Sequence, residues 1–324
     1  MMVLAITLVF QRWEASQRTS GKARRIANTP AEVMAPGGEI VTKVKTVSAC
    51  RDGLWCFRQR LRESLHWRDA RLLKHLREMS EPAPQVKDLI LDPRHPPWQH
   101  RPSFNTTETF IRTLTQGQEG GVFVEVGAQD GLWLSNTWWL ETERGWRGLL
   151  LESDPSNYRL LRGSARASPT LPICVTAELR VSQKLMVRTR SPKNFTRALL
   201  RAQQGRSKLA KFATPSELLT GDTWIATCYP IFSVLAAAGY SKIDLLTFDL
   251  SGGGMEMTTD FLTINHALGT PFHVKLLLYQ DSQLEEFFDL QQVKDTFRRL
   301  GYLTLKIKAA HYLLYHHTIS VVAV

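Results

Sequence analysis

The chain is poor in cysteine. Its 324 residues hold four, Cys50, Cys56, Cys174 and Cys228. Four are too few for a disulfide scaffold that replaces a hydrophobic core. No Cys-x-x-Cys occurs among them, which argues against a zinc cluster. Cys174 and Cys228 are free to pair if the domain faces an oxidising lumen. Long apolar runs are missing too. The opening "MMVLAITLVF" is ten residues long, whereas a spanning helix needs ~20. It also lacks the basic start and small-residue cleavage site of a signal peptide, leaving a signal core or the remnant of a longer anchor as readings. Phosphate-binding loops are absent: neither G-x-G-x-x-G nor G-x-x-x-x-G-K-[ST] occurs, so no turn is built for a pyrophosphate. No internal repeat occurs.

What is present is a globular composition, 43% hydrophobic, with a formal net charge of +11. The excess is uneven. Up to Arg101 there are 18 Lys and Arg against 10 Asp and Glu; from Pro102 on, 23 against 20. Residues 1–101 read as a basic N-terminal extension: the apolar run, a loose segment over 14–50, a basic amphipathic helix over Arg58–Met79, and the proline-rich linker "DPRHPPWQHRP". The helix either docks on the main domain or lies on a membrane surface. A second basic stretch, Arg180–Lys211, has ten Lys and Arg and no acid. It reads as a solvated loop, with contact to an anionic membrane as the other reading. Nucleic acid is not an expected partner. Two sequons, Asn105-Thr106-Thr107 and Asn194-Phe195-Thr196, matter only in the secretory pathway.

Residues 102–324 read as one α/β domain. Strands are expected at Val122–Val126, Gly148–Glu152, Leu171–Val175, Ile243–Leu250 and Phe272–Tyr279, with two more closing the chain around Lys308-Ala309-Ala310. Helices are expected from Asn105 towards Gly117, over Ser135–Arg144, after Asp154-Pro155, over Pro230–Ala238 and over Gln283–Leu300. Apolar strands alternating with helices predict a doubly wound, mostly parallel sheet. The short final connection forces an antiparallel pair.

Ligands of such sheets bind outside the carboxyl ends of the strands. There the sequence places Glu125 and the turn Gly127-Ala128-Gln129-Asp130-Gly131, then Glu152, then Asp249. Glycine admits close backbone approach. A carboxylate beside the turn suits a cationic ligand, and an acid in the position of Glu152 can accept from both hydroxyls of a ribose. His311, His316 and His317 fall in the last hairpin, where alternation splits the adjacent pair, so no metal site is expected.

The block "VFVEVGAQDGLWLSNTWWLETERGWRGLLLESDPSNYRLL" resembles the FkbM-type S-adenosylmethionine-dependent methyltransferase domain, in particular its animal, Star-like branch. The turn, the S-N-T helix start, the G-W-x-G-L-L-x-E strand and the D-P-x-x-Y helix start are all there. "CYPIFSVLAAAGYSKIDLLTFDLSGG" is similar to the later family segment, and the likeness runs from about Phe104 to Leu300. It implies a Rossmann-like fold and S-adenosylmethionine as cofactor. It also implies that Glu125, Gly127, Ala128 and Gly131 line the cofactor, that Asp130 lies at its amino-acid end, and that Glu152 holds its ribose. The activity implied is O-methyl transfer to a small molecule or glycan.

The pattern departs from the family after the fourth main strand. D-x-E-G-x-E becomes Asp249-Leu250-Ser251-Gly252-Gly253-Gly254, so both glutamates are lost. Asp249 and Glu256 remain as candidate catalytic carboxylates. The three glycines read as a flexible, bare loop. The alternative function is a non-catalytic, Star-like protein that handles client proteins in secretory-pathway traffic, at the membranes of the endoplasmic reticulum, Golgi or endosome. A cytoplasmic location follows instead if the first run is no anchor.

Overall fold

A computed structural model describes residues 65–83, 104–132, 134–188, 207–280, 290–308 and 311–319. All of them fall in one compact unit, residues 54–324. The N-terminal apolar run, the loose segment, Cys50, Cys56, the proline-rich linker, the second sequon and the start of the expected helix at 283 lie outside the described residues.

The central feature is β1 (Val122–Val126), an apolar, largely β-branched run. It pairs in parallel with β2 (Arg147–Leu151) on one side and with β8 (Lys242–Asp249) on the other. β3 (Thr170–Leu171) extends the sheet beyond β2, and β9 (His273–Gln280) beyond β8. The chain then adds β10 (Tyr302–Lys308) and β11 (His311–His316). The seven-stranded order is β10-β11-β9-β8-β1-β2-β3. β11 runs antiparallel to both neighbours. The closing pair is antiparallel as its short connection requires, but the last strand is wedged inside the sheet rather than added at its edge.

Alternation divides the side chains between two cores. Val124, Val126, Leu246, Phe248 and Leu277 face one side, where they meet α6 (Ile231–Ala238), α7 (Gly254–Ala267) and α8 (Leu290–Arg299). Phe123, Leu150, Leu245 and Leu276 face the other, against α2 (Phe104–Leu114), α3 (Trp138–Arg144) and α4 (Pro155–Arg162). α4 starts as its sequence requires: the Asp154 side chain accepts from the Ser156 and Asn157 amides, and Pro155 occupies the first turn. α6 is apolar through Ile231–Leu235 and ends at Gly239 in the left-handed region.

Helix α1 (Ala70–Met79), which the sequence groups with the basic extension, packs into this domain. Leu72 and Leu76 are buried in the first core beside Trp67 and Phe232. The Trp67 carbonyl accepts the buried Ser233 hydroxyl at 2.8 Å, and the Trp67 amide donates to the Leu179 carbonyl.

Four features differ from the sequence expectation. The third strand breaks after Leu171, and β4 (Cys174–Thr176) belongs to a second sheet. That sheet, in the order β4-β7-β5-β6, also takes in β5 (Ser182–Arg188), β6 (Ser207–Leu209) and β7 (Asp222–Pro230), with the short helix α5 (Pro215–Thr220) between the last two. The basic segment expected to be a loop therefore carries two strands. α3 begins at Trp138 rather than Ser135, because the Ser135 hydroxyl caps the Thr137 and Trp138 amides from outside the helix. Finally, "GGG" is no bare loop. Gly253 caps α7, and a Cβ on Gly254 would lie 2.4 Å from the Gln280 carbonyl oxygen. The glycine lets the helix start against β9, a close approach that no side chain at 254 permits. Among the described residues no helix is long and apolar enough to cross a membrane.

If α1 is part of the core, Leu76→Ala should cost ~2–5 kcal/mol, as large-to-small core changes do. Lys74→Ala, whose side chain is 76% exposed, should stay within ~0.5 kcal/mol. Urea denaturation of the two variants reads the difference, and equal midpoints would remove α1 from the core.

Candidate functional site

The strand order reverses at β1: β2 and β3 lie to one side, β8 and β9 to the other. A doubly wound sheet opens a crevice at that point, outside the carboxyl ends of the strands. Here the crevice is a cavity of about 370 Å³. Its floor is the ends of β1, β2 and β8. Its roof is the second sheet, with Cys174, Met186 and Leu209 among its lining residues. Cys174 and Cys228 sit opposite each other where β4 pairs with β7, and a disulfide joins them, with Cα atoms 4.3 Å apart.

Glu152 is the central side chain of the floor. It ends β2 and is 4% exposed. One carboxylate oxygen accepts the Gln129 amide at 2.8 Å, the other the Asp154 amide at 2.7 Å. The chain reaches this geometry by turning sharply after β1, with Gly127 at φ 83° and Gln129 at φ 51°. A Cβ on Gly127 would lie 2.2 Å from the Asp249 carbonyl oxygen. The ends of β1 and β8 thus touch at a point where only glycine fits. Burial pushes the Glu152 carboxyl up to about 7, against the backbone amides of Asp154, Gln129 and Ser153, which favour its charged form. No cation pairs with it among the described residues.

The predicted residues divide into two groups. Gly127, Glu152, Asp249 and Glu256 line the cavity. Glu125, Ala128, Asp130 and Gly131 stand behind the turn and shape it. Asp130 accepts the Leu132 amide at 3.0 Å. Ala128 is buried in the second core, and Gly131 lies against Leu161 and Arg166. Glu125 is 2% exposed and points to the same side. Its carboxylate accepts the Ser135 hydroxyl at 2.9 Å, the Thr137 hydroxyl, and the Asn136 amide at 3.1 Å.

The sequence does not reveal the partner of this group. Arg166 is 1% exposed. Its guanidinium donates to the Gly131 carbonyl at 2.8 Å, to the Ser135 and Thr137 hydroxyls, and to Glu141 at 3.0 Å, and it stands 3.6 Å from Glu125. Four hydrogen bonds and the nearby Glu125 and Glu141 carboxylates compensate the buried cation, as a buried charge requires. The loop from Gly131 to Thr137 is held from behind by this network.

On the opposite wall, α7 carries Glu256 and, one turn on, Asp260. Glu256 is ion-paired with Lys211. Asp260 remains accessible to solvent, yet it stands inside the concavity. Loss of surrounding water pushes its carboxyl up to about 6, with the Glu256 carboxylate adding to the shift and Lys211 opposing it. The sequence reading omits Asp260, because α7 opens on glycines and carries threonines, a weak helix signal.

The raised Glu152 carboxyl has a consequence for stability. Between its ordinary value near 4.5 and about 7, the folded state holds a proton that the unfolded state has released. This group's contribution is therefore present in full below about 4.5 and is lost as pH rises to about 7. Relative to wild type, Glu152→Gln should gain stability across that window and hold a constant difference above it. Chemical denaturation at several pH values tests this; a pH-independent difference would show that the Glu152 carboxyl is not raised.

No family model matches the chain, and no curated protein matches it. Solved structures match with low overlap. The MTase domain of METTL16 is 10% identical at TM-score 0.36, over 67% of this chain and 69% of that one. The Burkholderia thailandensis 1,6-didemethyltoxoflavin-N1-methyltransferase, solved with 1,6-didemethyltoxoflavin and S-adenosylhomocysteine bound, is 11% identical at TM-score 0.34, over 67% and 78%. The precorrin-6y C5,15-methyltransferase of Geobacter metallireducens is 11% identical at TM-score 0.31, over 72% and 98%.

Proposed function

We propose that this chain is an S-adenosylmethionine-dependent methyltransferase. One observation carries the reading: a buried carboxylate with no cationic partner among the described residues, Glu152, ends the strand beside the switch point and opens on a cavity of ligand size. Each Glu152 oxygen spends one lone pair on a backbone amide. A carboxylate has about four such sites, so capacity remains for the two hydroxyls of a ribose. Gly127 lets the turn stay thin beside the ligand, Asp249 supplies negative charge towards a sulfonium and its amino-acid end, and Val126, Leu151 and Ile173 offer apolar walls to a base. The donor set suits a cationic nucleoside and does not suit a pyrophosphate. When bound, the cofactor would supply an electrophilic methyl group. The protein's part is to align the acceptor and exclude water.

Oxygen as the methylated atom, on a small molecule or glycan, follows from the FkbM resemblance. The cavity is consistent with that acceptor size. Gly254 has no room for the glutamate of the D-x-E-G-x-E pattern, and Glu256 is committed to Lys211. These two facts keep alive the Star-like reading, in which the fold serves trafficking of client proteins. The Cys174–Cys228 disulfide supports a secretory-pathway compartment for either reading.

Isothermal titration with S-adenosylmethionine is the test. Wild type should bind, and Glu152→Ala should lose ~1.5–3 kcal/mol, the worth of hydrogen bonds to a charged group. Gly127→Ala, which drives a methyl into the Asp249 backbone, should also weaken binding. No binding by wild type sinks the methyltransferase reading, and equal affinity in Glu152→Ala removes that residue from the site.

A further inference from the structure

The charge of the cavity runs against the charge of the chain. The protein carries +11, yet the lining holds the carboxylates Glu152, Glu178, Asp249, Glu256 and Asp260 against three lysines, Lys184, Lys208 and Lys211. Every one of those lysines is already neutralised. Lys184 pairs with Glu178, Lys208 with Glu217 at 2.9 Å, and Lys211 with Glu256. Among the described lining residues an anionic ligand meets no uncommitted cation. Glu152 and Asp249 lie at the strand ends, on the cofactor side. On the α7 side the uncompensated charge is that of Asp260, which has neither a hydrogen bond nor an ion pair among the described residues. Phe212 and Met257 add apolar surface to the lining. A concave site of one sign with low-dielectric walls focuses its field on whatever enters.

We propose that the acceptor of this site carries an ammonium group, and that Asp260 holds it and sets the specificity of the acceptor end. The proposal rests on the methyltransferase reading for the word acceptor; the preference for an ammonium rests on the cavity alone. Asp260 is a specificity-determining residue here, one helical turn from Glu256 and distinct from the carboxylates that face the cofactor. The groups that face it are Glu256 and Lys211, which pair with each other, and Glu178, which pairs with Lys184.

Three probes on one apolar skeleton test it: 2-phenylethylamine, 2-phenylethanol and phenylacetate. Each is titrated into the full chain, alone and in the presence of S-adenosylhomocysteine, by calorimetry or ligand-observed NMR. The amine should bind about five- to ten-fold more tightly than the alcohol, the range of an ion pair between exposed and desolvated limits, and the carboxylate most weakly. Asp260→Asn should erase the amine preference and leave S-adenosylhomocysteine affinity within two-fold, while Asp260→Glu should restore most of the preference. In wild type the amine affinity should fall as pH drops through about 6, and in Asp260→Asn it should not. The proposal is overturned if phenylacetate binds as well as the amine, if the amine binds no better than the alcohol, or if Asp260→Asn keeps the preference. Because the series is also read without S-adenosylhomocysteine, a protein that fails to bind that nucleoside defeats the methyltransferase reading and leaves the charge preference to be judged by the probes.

Discussion

The site depends on one buried cation. Arg166 gathers the Gly131 carbonyl, the Ser135 and Thr137 hydroxyls and Glu141, with Glu125 at 3.6 Å. The front of the turn after β1 is fastened to β2, with the Gly127 and Ala128 amides on the Leu151 carbonyl and the Gln129 amide on Glu152; Arg166 holds it from the other side. A guanidinium supplies five donors in a rigid fork, which is why a single residue can tie so many points of one loop together. Such a network is costly to assemble and more costly to break: removing one partner of a buried pair leaves an uncompensated charge worth ~3–5 kcal/mol. The cofactor-side geometry is thereby set from behind, leaving the front of the turn clear.

From that anchor the rest follows in order. The fixed turn brings the Gln129 amide to Glu152, and Glu152 in turn reaches the Asp154 amide that opens α4. The thin backbone at Gly127 lets Asp249 approach, which sets the spacing between β1 and β8 at the mouth. Opposite, the disulfide fastens β4 to β7, and β7 runs without a break into α6 at Ile231. The roof is thus tied through α6 to the first core, and the two sheets and α7 wall the space, with turns only at the strand ends. Sites on regular elements hold their geometry better than sites on loops.

How much of this could be read from residues alone depended on how local the physics was. β1, β2, β8 and β9 are buried on both faces, so their sequences are continuous apolar runs that nothing else imitates. The Asp154-Pro155 start of α4 and the Gly239 stop of α6 depend on neighbours in the chain and were equally plain. The second sheet was hidden. β5 and β7 are half exposed and interrupted by Lys, Arg and Asp, so their pattern resembles a solvated loop. α7 was hidden by its own glycines, whose reason for being there is the Gln280 carbonyl on a distant strand. Glu125 was read as facing a ligand because its position in the strand is right for that; its pleat turns it to the other face, towards Arg166, and only the register of the sheet reveals this. Arg166 itself lies in "RGSARAS", a stretch with no periodicity, and its partners are far away in sequence.

The position of β11 has a bearing on how the molecule is made. β9 and β10 do not touch each other; both pair with β11, residues 311–316. As the chain leaves the ribosome, α8 and β10 are complete before the strand that joins them to the sheet exists. Until it arrives, β9 presents an open edge of apolar residues, Leu276 to Tyr279, of the kind that invites pairing with other chains. The last of the described strands to be made is therefore an interior one, and a nascent chain that has not yet reached residue 311 is exposed along the middle of its sheet rather than at its rim. Segments of this sort are natural clients for chaperones.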